Sequence, residues 1–177
     1  MTNEYLIAGF GGQGLLFAGK FLVNKGMMEG KEVSWLPSYG PEMRGGTANC
    51  SVIISDEPVG SPIVSKPTVL MVMNLPSLDK YENDVKAGGM IFVVSSLIDR
   101  KVARTDVDVF YVPATQMASD NGLSGLANMI LIGKLMKELG DFEDEEAVAS
   151  SLKKVVSVRH PELYEKNLQA LKLGRNY

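Results

Sequence analysis

LIAGFGGQGLLFAGKFLVN, residues 6–24, passes from an apolar run through a cluster of four glycines into a segment with helical spacing. Tyr5, Leu6, Ile7 and Ala8 read as a buried strand. Gly9, Gly11 and Gly14 then carry the G-x-G-x-x-G spacing, which lets a backbone turn tightly and come close to a ligand. Leu15, Ala18, Gly19, Leu22, Val23 and Gly26 follow at three- and four-residue steps, the mark of one packed helix face. The unit is therefore strand, glycine turn, helix. Such a helix start offers unpaired N–H groups and the positive end of a dipole, so an anion can be held there with no basic side chain. Gly9, Gly11, Gly12, Gln13 and Gly14 are the candidate anion-binding residues.

A phosphate suits this turn better than a whole dinucleotide does. A dinucleotide fold ends its second strand with an acidic residue that holds the ribose. Here the second strand is Val33, Ser34, Trp35, Leu36, with no Asp or Glu at its end. Leu15 and Leu16 follow Gly14, so the Lys-Ser/Thr pair of a P-loop is missing too. The glycines either cradle an anion or simply close a turn between strand and helix, and the motif alone leaves both readings open.

Composition narrows the class. At 177 residues, 45% hydrophobic and 22% charged, the chain reads as a single folded domain over 1–177, long enough to bury a core without staples. A net charge of −3 with no basic block argues against nucleic acid. Apolar runs are broken by Pro, Gly or Asn before they reach membrane-spanning length, and MTNEYLIAG has no basic leader. Neither a membrane partner nor a secretory signal is expected, and a cytoplasmic location is. One cysteine, Cys50, cannot form an internal disulfide or supply the thiolates of an iron–sulfur cluster.

Taken in order, the first helix leads through Glu29-Gly30-Lys31 into a strand at 32–36, stopped by Pro37, in the β-α-β order of a parallel sheet. PSYGPEMRGGT, residues 37–47, is a shaped loop whose prolines and glycines fix the backbone while Tyr39, Glu42, Met43 and Arg44 display varied chemistry. Residues 47–55 alternate as a strand, with Ala48, Cys50, Val52 and Ile54 on one face. The short connection from 32–36 allows no crossover helix, so this strand is expected to be antiparallel. Val69–Met73 is a buried strand followed by Asn74 and a helix to about Val85; Asn74, at a strand's carboxyl end, joins the candidate site. Strands follow at MIFVVSS and 107–112, with a charged, exposed 99–106 between them. The strongest helix is 123–139, apolar around much of its circumference, and is expected to be covered by the sheet or by another subunit. Residues 143–146 are acidic charges at the start of the next helix, with Lys153 and Lys154 near its end. The fold class is α/β: three α/β/α layers around a mostly parallel, Rossmann-like sheet that includes an antiparallel strand.

Catalytic constellations are missing. His160 is the single histidine, next to Pro161, with no Ser or Cys nucleophile patterned near it, and reads as a structural or surface residue. Cys50 reads as a packed core thiol.

Three segments together carry a family likeness. GFGGQG at 9–14, SYGPEMRGG at 38–46 and MNLPSLDKY at 73–81 closely resemble the gamma subunit of 2-oxoacid:ferredoxin (acceptor) oxidoreductases, also seen as a domain of the one-chain pyruvate enzymes. The loop and TANCSVIISDEPVGSPIV at 47–64 look most like the 2-oxoglutarate or branched-chain 2-oxoacid members. The resemblance implies a complex that decarboxylates a 2-oxoacid on thiamine diphosphate with magnesium, passes electrons through iron–sulfur clusters to ferredoxin, and forms an acyl-coenzyme A. This chain has no cysteine run for a cluster and no G-D-G…N-type segment for the magnesium diphosphate, so those groups are expected on alpha, beta and possibly delta partners. No cofactor is expected on this chain alone. Its implied task is to complete the site: glycine-turn amides for a phosphate of coenzyme A or another anion, and Ser38, Tyr39, Gly40, Pro41, Glu42, Met43, Arg44, Gly45 and Gly46 as an active-site loop.

Within that picture single residues keep two readings. Arg44 reaches a phosphate or carboxylate bidentately, or pairs with Glu42 or a partner's acid. Tyr39 orients a ligand or anchors an interface, and Gln13 binds the ligand or caps its helix turn. An assembly module that binds nothing, and a free-standing Rossmann-type nucleotide-binding protein, are the alternatives to a site-completing subunit.

Overall fold

The computed structural model describes residues 1–38, 47–140 and 144–177. Its elements, in chain order, are β1 (Thr2–Gly9), α1 (Leu15–Met28), β2 (Glu32–Ser38), β3 (Ala48–Ser55), β4 (Val69–Val72), α2 (Leu75–Tyr81), β5 (Met90–Val94), β6 (Asp108–Val112), α3 (Ala114–Asp120), α4 (Ala127–Leu139), α5 (Glu145–Val155) and α6 (Glu162–Arg175). A 3-10 turn at Glu82–Asp84 extends α2. The strands form one six-stranded sheet in the order β2-β3-β1-β4-β5-β6. β1, β4, β5 and β6 are parallel neighbours, whereas β3 is antiparallel to both β1 and β2. The mostly parallel sheet with an antiparallel member is as the sequence leads one to expect. The β-α-β unit is modified, however: β1 and β2 run the same way, but β3 lies between them.

Alternation along each strand builds two cores. Tyr5, Ile7, Val69, Met71, Phe92 and Val94 point to one face, where α1, α3, α4, α5 and α6 cover them. Leu6, Leu70, Val72, Ile91 and Val93 point to the other, under Leu78 of α2 and Val85. On the first face Phe92 and Phe110 stack across β5 and β6 with ring centroids 4.8 Å apart. Cys50 is buried there, and desolvation pushes its thiol up to about 12, against a smaller opposing effect of the Trp35 indole.

Three expectations need correction. Pro37 does not stop β2, which continues to Ser38 with Pro37 opposite Cys50. Among the described residues β3 is the only neighbour of β2 in the sheet, and an edge strand tolerates the proline's missing donor. The helix expected at 123–139 starts at Ala127, because residues 123–126 form a turn in which Gly125 has φ +86° and the Leu126 amide donates to Leu123 O. Finally, α4 is covered from within the chain. Gly133 of α4 and Gly174 of α6 meet so closely that an added Cβ would lie 2.1 Å from Leu171 O and 1.8 Å from Ile130 O respectively. The apolar circumference of α4 is satisfied by α6 as well as by the sheet.

The charged 99–106 segment is also more than an exposed stretch. Arg100 donates to Glu82 (2.6 Å) and Asp79 (2.9 Å), the Ala103 amide donates to Glu82, and Arg104 pairs with Asp106. Glu82 is 5% exposed. Burial pushes its carboxyl upward, but the Arg100 and Ala103 hydrogen bonds and the Arg100 charge together outweigh that and hold it below its ordinary value.

Candidate functional site

β1, β2, β4, β5 and β6 run in the same direction, so their carboxyl ends share one edge of the sheet, where Gly9, Ser38 and Met73 gather with the start of β3. In open α/β sheets this edge is where ligands bind. The glycine turn is built into it by Gln13, whose Oε1 accepts from the Phe10 amide (2.6 Å) while its Nε2 donates to Met73 O (2.9 Å). A Cβ on Gly9 would stand 2.4 Å from Gln13 Oε1, so the glycine is what lets this side chain fold back. Gln13 thus ties the turn to the end of β4, which is a larger role than capping its own helix turn.

Gly12 and Gly14 have φ of +85° and +75°, and Gly14 is the N-cap of α1. The first helical bond runs from the Ala18 amide to Gly14 O at 3.0 Å. The amides of Leu15, Leu16 and Phe17 precede it and have no acceptor inside the helix. No acidic residue occupies the first turn of α1, so its positive end is left for an external anion. Asn128, near the start of α4, fixes this geometry: its Nδ2 donates to Gly14 O at 3.0 Å, and a Cβ on Gly14 would fall 2.4 Å from that nitrogen. Asn128 escaped the sequence reading, although a lone Asn in an otherwise apolar helix was the available signal.

Two cavities flank the turn. One, of about 310 Å³, lies toward β2 and β3 and is lined by Phe10, Gly11, Gly12, Gly14, Leu16, Phe17, Ser38 and Asn49 among others. Ser38 and Ala48, both on its wall, are also described residues near the ends of the candidate loop. Tyr39, Gly40, Pro41, Glu42, Met43, Arg44, Gly45 and Gly46 lie outside the described residues. The second cavity, of about 220 Å³, opens toward β4, α3 and α4 between Gly12, Gln13, Met73, Thr115, Ser124 and Gly125. None of the described lining residues of either cavity is charged. Thr115, in the first turn of α3, and Ser124, in the turn before α4, were not singled out in the sequence, since isolated hydroxyls carry no spacing signal.

Of the other candidates, Asn74 sits at the carboxyl end of β4 but is 3% exposed, and its Oδ1 accepts from the Ser77 amide (2.9 Å) as the N-cap of α2. It is not among the residues lining either cavity. His160 is exposed and lies 3.2 Å from Glu162 Oε1, away from the glycine turn. Among the described residues no cluster of His, Cys, Asp or Glu has the arrangement of a metal site, and no helix is long and apolar enough to cross a membrane.

The family model described as pyruvate ferredoxin/flavodoxin oxidoreductase matches residues 4–177. The ketoisovalerate oxidoreductase subunit VorA of Methanothermobacter marburgensis is 37% identical over 171 residues, covering 97% of this chain and 35% of the relative. The chain thus spans about a third of that protein's length. The 2-oxoglutarate synthase subunit KorC of Methanocaldococcus jannaschii is 36% identical over 180 residues, covering 98% of this chain and 92% of the relative. Among solved structures, the keto/oxoacid ferredoxin oxidoreductase gamma subunit of Geobacter sulfurreducens PCA superposes with a TM-score of 0.81 at 28% identity, covering 97% of this chain and 95% of that one. On a match that runs over nearly its whole length, the chain belongs to the pyruvate ferredoxin/flavodoxin oxidoreductase family.

Proposed function

We propose that this chain is the gamma subunit of a thiamine-diphosphate-dependent 2-oxoacid:ferredoxin oxidoreductase, inactive alone, which completes the active site or the coenzyme A site of a complex with alpha, beta and possibly delta partners. The observation that carries the reading is the glycine turn. Its amides open at a ligand-binding sheet edge, on a cavity wall shared with Ser38 and Ala48 near the 39–46 loop. The relatives named as ketoisovalerate and 2-oxoglutarate subunits support the substrate class, a 2-oxoacid. The fit to coenzyme A is through its phosphates: the amides at Gly11, Gly12 and Leu15–Phe17 would hold one without a basic side chain, and Arg44 would add a charged contact from the loop. When bound, coenzyme A supplies the thiol that accepts the acyl group. Cys50, buried in β3, is unsuited to holding an iron–sulfur cluster, so clusters belong to partner chains on this reading.

The test is 2-oxoacid-dependent viologen reduction, measured for the purified chain and for the chain with its partner subunits. The single chain is expected to be silent and the reconstituted complex active, strictly dependent on adding this subunit. Turnover by the single chain, or a complex equally active without it, would overturn the proposal.

A further inference from the structure

The two faces of the sheet are unequally covered. Five helices lie over one, but on the other α2 and Val85 cover a buried core drawn from β1, β4 and β5, to which no described residue of β2 or β3 belongs. Beside that core a cavity of about 410 Å³ opens, bounded by Leu36 and Ser38 of β2, Asn49 and Ser51 of β3, the 63–65 segment, and Tyr81 and Asp84 at and just beyond the end of α2. In the register of β2 with β3, Leu36 lies opposite Ser51 and Ser38 opposite Asn49, so the four stand on one face. Leu36 and Ile63 remain 39% and 66% exposed, while the serines and Asn49 add short polar groups without charge. A strand face left to water is ordinarily polar, whereas the centre of an interface is depleted in charge and keeps apolar and tyrosine side chains. Asn49 Nδ2 donates to Tyr81 Oη at 3.1 Å, which holds the phenol at the cavity wall. Asp84 is the one charged residue among the described lining, and it forms no ion pair with a described residue.

We infer that this face docks a partner subunit, through a segment that lays an apolar side chain over Leu36 and Ile63 and brings a Lys or Arg to Asp84. This rests on the reading of the chain as one subunit of a larger oxidoreductase and adds to it the surface and the chemistry of the contact. A different chain fits better than a second copy. A copy related by a two-fold axis would present the same face, whose described lining holds no cation to meet Asp84, only another Asp84. The same unit makes up 35% of the VorA relative and 92% of the KorC relative, so it occurs both joined to a long further polypeptide and without one. A surface that packs on a different chain serves both arrangements. Ser38 and Asn49 also line the cavity at the glycine turn, so a subunit that closes that edge continues onto this face without a break.

The experiment mixes the full-length chain with the alpha and beta partners used for reconstitution, and reads affinity by calorimetry and assembly by size-exclusion chromatography. Leu36→Asp and Ile63→Asp alter exposed side chains, so the isolated chain should keep its denaturation midpoint while its affinity for the partners falls at least about tenfold. Asp84→Lys should cost roughly three- to tenfold, more at low salt than at high, because it turns an attraction into a repulsion. Val158→Asp, at an exposed apolar residue of the α5–α6 turn outside this face, should change nothing. Hydrogen exchange gives an independent reading: amides at 34–38, 49–53 and 61–65 are expected to slow on assembly. Wild-type affinity in both Leu36→Asp and Ile63→Asp, or unchanged exchange in all three segments, would overturn the inference. So would a Leu36→Asp effect confined to self-association of the isolated chain, which would assign the face to a second copy. Viologen turnover separates the two readings. An active complex that ignores these variants removes only the docking face, whereas assembly lost in the variants with no 2-oxoacid turnover by the wild type removes only the enzyme assignment. Failure of the wild-type chain to assemble removes both.

Discussion

Gln13 shows what a single residue's position in a motif conceals. Its place inside G-x-G-x-x-G was legible, but the partner that gives it meaning, Met73 O, is sixty residues away and became adjacent only when β4 paired with β1. Asn128 and Glu82 were opaque for the same reason, since each acts on a distant segment: Gly14 for one, Arg100 and Ala103 for the other. Cys50, by contrast, was readable, because strand alternation among apolar neighbours already says buried. Glu82 supports a pH prediction. Its folded-state carboxyl is held below the ordinary 4.5, so its pairing contributes stability above that pH and loses it as pH falls through the folded value. Glu82→Gln should therefore cost about 1–2 kcal/mol near neutrality, and the gap from wild type should close in acid. Urea titrations between pH 7 and pH 3 measure this, and a gap that persists or widens in acid would contradict the clamp.

At the scale of elements, strands were easier to place than helix ends. Alternation in 47–55 and the runs at 69–73 and 90–96 gave β3, β4 and β5 to within two residues, whereas the pattern read as helix from 123 begins with a turn that Gly125 closes. The cover of α4 could not be inferred from its own sequence. It depends on Gly174, forty residues on, which lets two helix backbones touch. A methyl group at either glycine must push backbone, not a flexible side-chain tip. Gly133→Ala and Gly174→Ala are each expected to destabilise the chain by about 1–3 kcal/mol, read as a lower chemical-denaturation midpoint with an unchanged slope. Wild-type midpoints in both variants would mean that α4 and α6 are not in close contact. With this cover in place, α4 does not need another subunit to cover it.

For the whole molecule, the opening unit was legible from the first twenty-four residues, because a strand, a glycine turn and a helix determine where β1 ends and which way its helix dipole points. The sheet order was not, since it requires knowing that β3 inserts between β1 and β2. What the assembled edge offers is a helix start free of carboxylates, two cavities free of charged lining among the described residues, exposed Phe10 on one cavity wall, and exposed Leu75 and Leu97 just beyond the carboxyl ends of β4 and β5. Those apolar side chains suit an edge that a partner subunit closes. The central claim is that the glycine turn holds an anion within that closed complex. Its most direct test compares Gly12→Asp with Gly12→Asn in the reconstituted oxidoreductase, with assembly verified by size-exclusion chromatography. Both residues inherit the same φ of +85°, the Cβ of each has no atom within 4 Å, and the two side chains are near-isosteric, so they differ chiefly in charge. Apparent coenzyme A affinity should fall at least about tenfold further for Asp than for Asn, about 1.4 kcal/mol or more. Equal affinities in two assembled complexes would contradict the claim and leave the turn a purely structural link between β1 and α1.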